Sequence, residues 1–178
     1  MSSNENSLIE RLKERASDPK RFIDVPEAFP HRIYPPVLPD ELARAEQILG
    51  FHLPHLLQQV YLKVGNGGFG PGFGLFALNN NGAKHYHMNL VDWYFEGLNF
   101  KHPDYLAWPS EFLTICDWGD GITSALKWTD NNVPVFRVHG DRYEGGPWEA
   151  KMTLEAASLH TWLEDWLSER PMAKRASL

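Results

Sequence analysis

Hydrophobic positions along the chain change period several times, and those changes divide it into elements. Near the N-terminus Leu8, Ile9 and Leu12 stand among alternating charges with Ser7 placed to cap, which predicts a short amphipathic helix ending near Asp18-Pro19. Pro26, Pro30, Pro35, Pro36 and Pro39 then remove backbone donors and hold φ, so residues 25–39 are expected to be an extended connector. Two better-marked helices follow. Leu38, Leu42, Ala45 and Leu49 recur at helical spacing before Gly50, a natural C-cap, while Leu57, Val60, Tyr61 and Val64 form one stripe between Pro54 and Gly65. From Gly65 to Gly74 glycines alternate with Asn66, Phe69, Pro71 and Phe73, a run that turns sharply and lets other groups approach its backbone.

Leu75-Phe76-Ala77-Leu78 reads as a short buried strand, closed by the turn-forming Asn79-Asn80-Asn81-Gly82. Residues 84–99 leave two readings open: Leu90, Trp93, Tyr94 and Leu98 suit a helix face, and the aromatics alone suit a strand. After Trp108-Pro109 the period falls to two, and residues 112–117, 122–128 and 133–138 are expected to be consecutive antiparallel strands. In the middle run Ile122, Ser124, Leu126 and Trp128 alternate with Thr123, Ala125 and Lys127; turns at Gly119-Asp120-Gly121 and Asp130-Asn131-Asn132 suit a meander. Residues 139–152 carry Gly140, Gly145, Gly146 and Pro147 and are expected to be a loop. Leu159, Trp162, Leu163, Trp166 and Leu167 then predict a terminal amphipathic helix capped by Ser158. Helices, then strands, then a closing helix describe an α+β domain: a mostly antiparallel twisted sheet with helices packed mainly on one face. Residues 38–170 form that domain, residues 1–37 an appended helix and connector, and residues 171–178 a disordered tail.

At 178 residues and 43% hydrophobic content the chain can bury one core. Its net charge of -6 argues against sequence-independent binding to phosphate backbones and favours basic partners. Cys116, the only cysteine, excludes an internal disulfide and a multi-cysteine zinc site; within the apolar FLTIC it reads as a small buried hydrophobe. No apolar run approaches the roughly 18 residues that span a bilayer, and the N-terminus is polar where a secretory signal is apolar, so a cytoplasmic protein is expected.

Several of these residues fall into an order that resembles the SUKH superfamily, also called the Smi/Knr cell-wall-regulator family. Glu46-Gln47-Ile48-Leu49-Gly50 closes a helix, Leu53-Pro54 starts the next, and Asn66-Gly67-Gly68 turns after it. Residues 112–118, Gly119 to Gly121, residues 122–128 and the Ser158 to Leu163 helix continue the likeness, and residues 65–72 are similar to a bacterial branch. The resemblance implies a SUKH-like fold and a non-catalytic role: an immunity protein that binds and neutralises a polymorphic toxin made by the same cell, or a regulatory interaction module.

Catalytic alternatives have less to build on. His85 and His87 would share a strand face, and His52 and His55 a helical turn, but neither pair has a matching carboxylate motif or cysteine. A metal-dependent enzyme using His85 and His87 therefore stands as the third reading, and no cofactor is expected. The glycine run lacks the Gly-Lys-Ser/Thr end of a phosphate-binding loop. Asp117, Asp120, Asp141 and Glu144 have no accompanying nucleophile motif. What stands out is Trp118, Tyr143 and Trp148 in expected loops beside those acids: aromatics to anchor and acids to steer a basic protein. Asp117, Trp118, Asp120, Asp141, Tyr143, Glu144 and Trp148 are accordingly the expected protein-binding residues, with a basic toxin domain as partner and neither nucleic acid nor membrane.

Overall fold

The computed structural model describes residues 3–17, 33–79, 89–101, 107–139 and 147–168. Helix α2, Pro39–Leu49, starts where the Glu41 carboxylate accepts the Leu38 N–H at 2.8 Å. It stops at Gly50, whose φ of 81° lets its N–H reach the Glu46 carbonyl. Helix α3, His55–Lys63, follows Pro54 directly. Between them the buried Glu46 carboxylate accepts the Leu53 N–H and the Gln58 amide and meets His52 Nδ1, all at 2.8 Å. That geometry is the physical content of the Glu-x-x-Leu-Gly…Leu-Pro pattern: a carboxylate at the end of one helix satisfies the backbone that opens the next.

Residues 84–99 resolve in favour of helix where they are described. Helix α4, Leu90–Asn99, is capped by the Asn89 side chain, which accepts the Asp92 N–H at 2.9 Å, and it buries Leu90, Val91, Tyr94 and Gly97 along one face. Strands β1 (Phe112–Gly119), β2 (Ile122–Lys127), β3 (Val135–Val138) and β4 (Met152–Ala156) form one antiparallel sheet in that spatial order. Leu113, Ile115, Leu126, Val135 and Ala156 face the helices and join their apolar residues in one core. On the opposite face Ala125, Val138 and Trp148 make a smaller cluster with Trp108, Phe112 and Met152. Helix α5, Leu159–Leu167, closes the core with Trp162 fully buried, and Ser158 caps it by accepting the Thr161 N–H.

Three expectations are corrected. Residues 75–78 are not a strand: Leu75 makes a single bridge to Cys116, because the backbone here is shared between two neighbours. Phe76 donates to the Ile115 carbonyl of β1, while Leu75 both donates to Phe69 and accepts from Gly68 in the glycine run. Second, β4 and the short 3-10 helix Trp148–Lys151 occupy part of the region expected to be loop and its continuation. Third, α1 runs from Ser3 to Ser17, so Ser7 lies inside the helix and does not cap it.

Helix α1 also shares the main core, burying Leu8, Ile9, Leu12 and Ala16 to 3% exposure or less. It lies against α3 and α5. Arg11 forks onto the Glu164 carboxylate at 2.8 and 2.7 Å. The Arg15 guanidinium lies 4.5 Å from the Trp166 ring centroid and donates to the Trp166 carbonyl.

The Arg11 hydrogen bond holds the Glu164 carboxyl below its usual range. A depressed carboxylate stabilises the fold above the unfolded value of about 4.3 and loses that contribution as pH falls through the folded value. Both groups are partly solvated, so the Glu164→Gln substitution is expected to cost only about 0.5 kcal/mol near neutrality. The gap between the urea midpoints of wild type and variant should be constant above about pH 5 and close on acidification.

Candidate functional site

The glycine run is a stitched loop, with both ends tied into the core. Asn66, 1% exposed, donates its N–H to the Tyr34 and Pro35 carbonyls, accepts the Leu78 N–H on its side-chain oxygen at 2.7 Å, and donates its amide to Asn79. Gly67 has φ 78°, and a Cβ there would lie 2.6 to 2.7 Å from backbone atoms of Leu75, Phe76 and Ala77. Only glycine permits that approach. The pattern Asn-Gly-Gly is therefore a fastening between the loop and residues 75–78.

Beyond the fastening, the loop tip lies on the β1–β2 hairpin. Cys116 donates its thiol to the Pro71 carbonyl at 3.1 Å, and Phe73 donates its N–H to the Asp117 carbonyl at 2.8 Å. The Phe73 ring comes so close to Gly119 that a Cβ there would sit 2.6 Å from it. Asp117 accepts the Gly119 N–H on its side chain, and exposed Asp120 occupies the turn at φ 52°. Burial raises the Cys116 thiol pKa well above its ordinary value, with Glu155 and Asp117 adding to the effect, so this cysteine stays a protonated hydrophobe.

Trp118 stands at a register shift between Asp117 and Gly119, on the same face of the sheet as Ser124. The half-buried indole donates Nε1 to Ser124 Oγ at 2.8 Å and lies 3.8 Å from the Arg137 guanidinium. Of the sequence-predicted residues, the structure brings Asp117, Trp118 and Asp120 together on this corner and adds Phe73. Trp148 is elsewhere: 9% exposed, edge-on to Trp108, its Nε1 donating to the Ala107 carbonyl, it packs the sheet's outer face instead of presenting a free ring. Asp141, Tyr143 and Glu144, like His85 and His87, lie outside the described residues.

Sequence reasoning missed Phe73, Arg137 and Glu155. A signal existed for Arg137, a charge set between Phe136 and Val138 on an expected strand. None existed for Glu155, since its strand went unrecognised. Ser124 was visible as a hydroxyl on the apolar stripe of Ile122 and Leu126, without indication of what satisfies it. Among the described residues no group of three or more His, Cys, Asp or Glu side chains is placed to hold a metal ion. No helix among them is long and apolar enough to cross a membrane.

Fold and corner together define a helix-flanked antiparallel α+β module that presents aromatic and acidic side chains on the β1–β2 hairpin. The model of the SMI1/KNR4 family (SUKH-1) matches residues 36–165, and the chain belongs to that family. The family is generally of non-catalytic immunity or regulatory type, which points to protein–protein interaction in general. A search of the curated proteins found no match to the chain. The matched span begins after α1, whose apolar residues share the main core.

Proposed function

We propose that this protein is an immunity-type module that binds a cognate toxin domain and occludes its active site without catalysing a reaction. The observation that carries the proposal is the corner where Phe73 and Trp118, delivered by two different segments, are held beside Asp117 and Asp120. Rigid aromatics give contact area at low entropic cost, and flanking acids steer a basic surface and reject acidic ones. The net charge of -6 favours the same class of partner. Asp141, Tyr143 and Glu144 are proposed as further partner-binding residues, with Trp148, which follows them in sequence, packed on the sheet's outer face. The site of action is the cytoplasm, where a toxin made by the same cell is first met.

Co-expression with a toxin encoded beside this gene is expected to restore growth. In the purified pair, Asp120→Lys combined with Glu144→Lys should slow association roughly tenfold at low salt, and Trp118→Ala should speed dissociation roughly 30-fold. Unchanged binding in both variants would remove the proposal. A regulatory scaffold role is the second reading, favoured by α1, which lies outside the matched span; the absence of any toxin gene alongside would select it.

A further inference from the structure

Resting on the reading of this corner as the partner surface, we infer that Ser124, Arg137 and Glu155 are positioning residues that lock the Trp118 indole into one orientation, so the partner meets a preformed anchor. The four side chains close a circuit. Trp118 Nε1 donates to Ser124 Oγ at 2.8 Å, Ser124 Oγ donates to Glu155 Oε2 at 2.7 Å, Glu155 Oε1 pairs with Arg137, and the Arg137 guanidinium lies 3.8 Å from the centroid of the Trp118 ring.

Two separate backbone irregularities flank it. Trp118 occupies the register shift between Asp117 and Gly119 in β1, and Glu155 the shift opposite Val135 and Phe136 in β4. Each shift leaves one extra residue on its strand, and both residues keep the face that strand alternation gives them. Both converge on the register pair Ser124 and Arg137, which sits between them on β2 and β3.

The ion pair is deeply buried, with side-chain exposures of 8% and 7%, and a buried pair is often no better for stability than well-packed apolar residues. The next positions inward on the same face are apolar: Leu126, Val135 and Ala156. Directional bonds instead fix the rotamer of a half-buried aromatic, and an anchor ordered beforehand loses less side-chain entropy on binding. Gly72 adds to the confinement, since a Cβ there would lie 3.0 Å from the indole.

The test uses the full chain labelled with 5-fluorotryptophan, the Trp118 fluorine resonance being assigned by Trp118→Phe. Wild type should give one narrow Trp118 line with little response to added acrylamide. Ser124→Ala and Arg137→Lys should shift that line toward the free amino acid and make it sensitive to acrylamide, while the Trp162 line stays put. Against the toxin domain encoded by the adjacent gene, both variants should dissociate about tenfold faster, the loss expected for one strong hydrogen bond, with association unchanged. Arg137→Lys keeps the charge but not the planar guanidinium, so loosening in that variant with a retained ion pair identifies stacking as the cause. An unmoved Trp118 line in both variants overturns the inference, as does a loosened Trp118 with unaltered dissociation. Failure of wild type to bind that domain overturns the partner reading itself, a result the variants cannot mimic.

Discussion

Substituting Gly67→Ala is expected to destabilise the protein by about 4 kcal/mol, combining positive-φ strain with overpacking. The added methyl would meet backbone atoms of three consecutive residues, Leu75, Phe76 and Ala77, at 2.6 to 2.7 Å, and backbone cannot swing away as a side chain tip can. Relief would require parting the glycine run from residues 75–78, which breaks the Gly68 to Leu75 hydrogen bond and strains the Asn66 bonds to Leu78 and Asn79. For a chain of this length such a loss lowers the thermal midpoint by roughly 8–16 °C. Gly50→Ala is the matched control. It has a similar φ, 81° against 78°, but nothing within 4 Å of the added carbon, so only the left-handed cost of about 1 kcal/mol applies. Comparable losses in the two variants, measured by thermal and urea unfolding, would show that the loop is not fastened as described.

The second large effect concerns α1. Leu12→Ala is expected to cost about 3 kcal/mol, the usual range for a fully buried leucine, because Leu12 is 0% exposed within the core shared by α3 and α5. A helix hanging outside the domain would show almost no change in global stability. Unfolding should stay a single transition, with the Leu12→Ala midpoint lowered by roughly 6–12 °C. A separate early transition in wild type, or a midpoint unmoved by the substitution, would contradict the shared core. A helix of this length is marginal alone in water, so its stability comes from the surface it covers.

What could be read in advance depended on the range of the interactions. Helix α2 and helix α5 were legible because period and boundary signals lie within a dozen residues: the Leu38 to Leu49 stripe and Gly50 for the one, Ser158 and the tryptophan stripe for the other. Strands β1 to β3 were legible because alternation and glycine turns agree. Strand β4 was hidden, since five residues interrupted by a bulge at Glu155 leave no clear alternation. The fate of residues 75–78 depended on hydrogen bonds to β1 and to the glycine run, neither encoded locally.

The same division runs through the candidate site. By itself the sequence determined the helical stripes, the meander, the glycine turn, the family pattern and the placing of Asp117, Trp118 and Asp120 at a hairpin, all consequences of short-range periodicity and backbone preference. Only the tertiary structure decided that Phe73 reaches that hairpin, that Trp148 is buried, that Arg137 and Glu155 lie beneath Trp118, and that α1 belongs to the core. Those outcomes rest on pairings between residues far apart in the chain, and the pattern of neighbouring side chains carries no record of which distant backbone or charge will satisfy them.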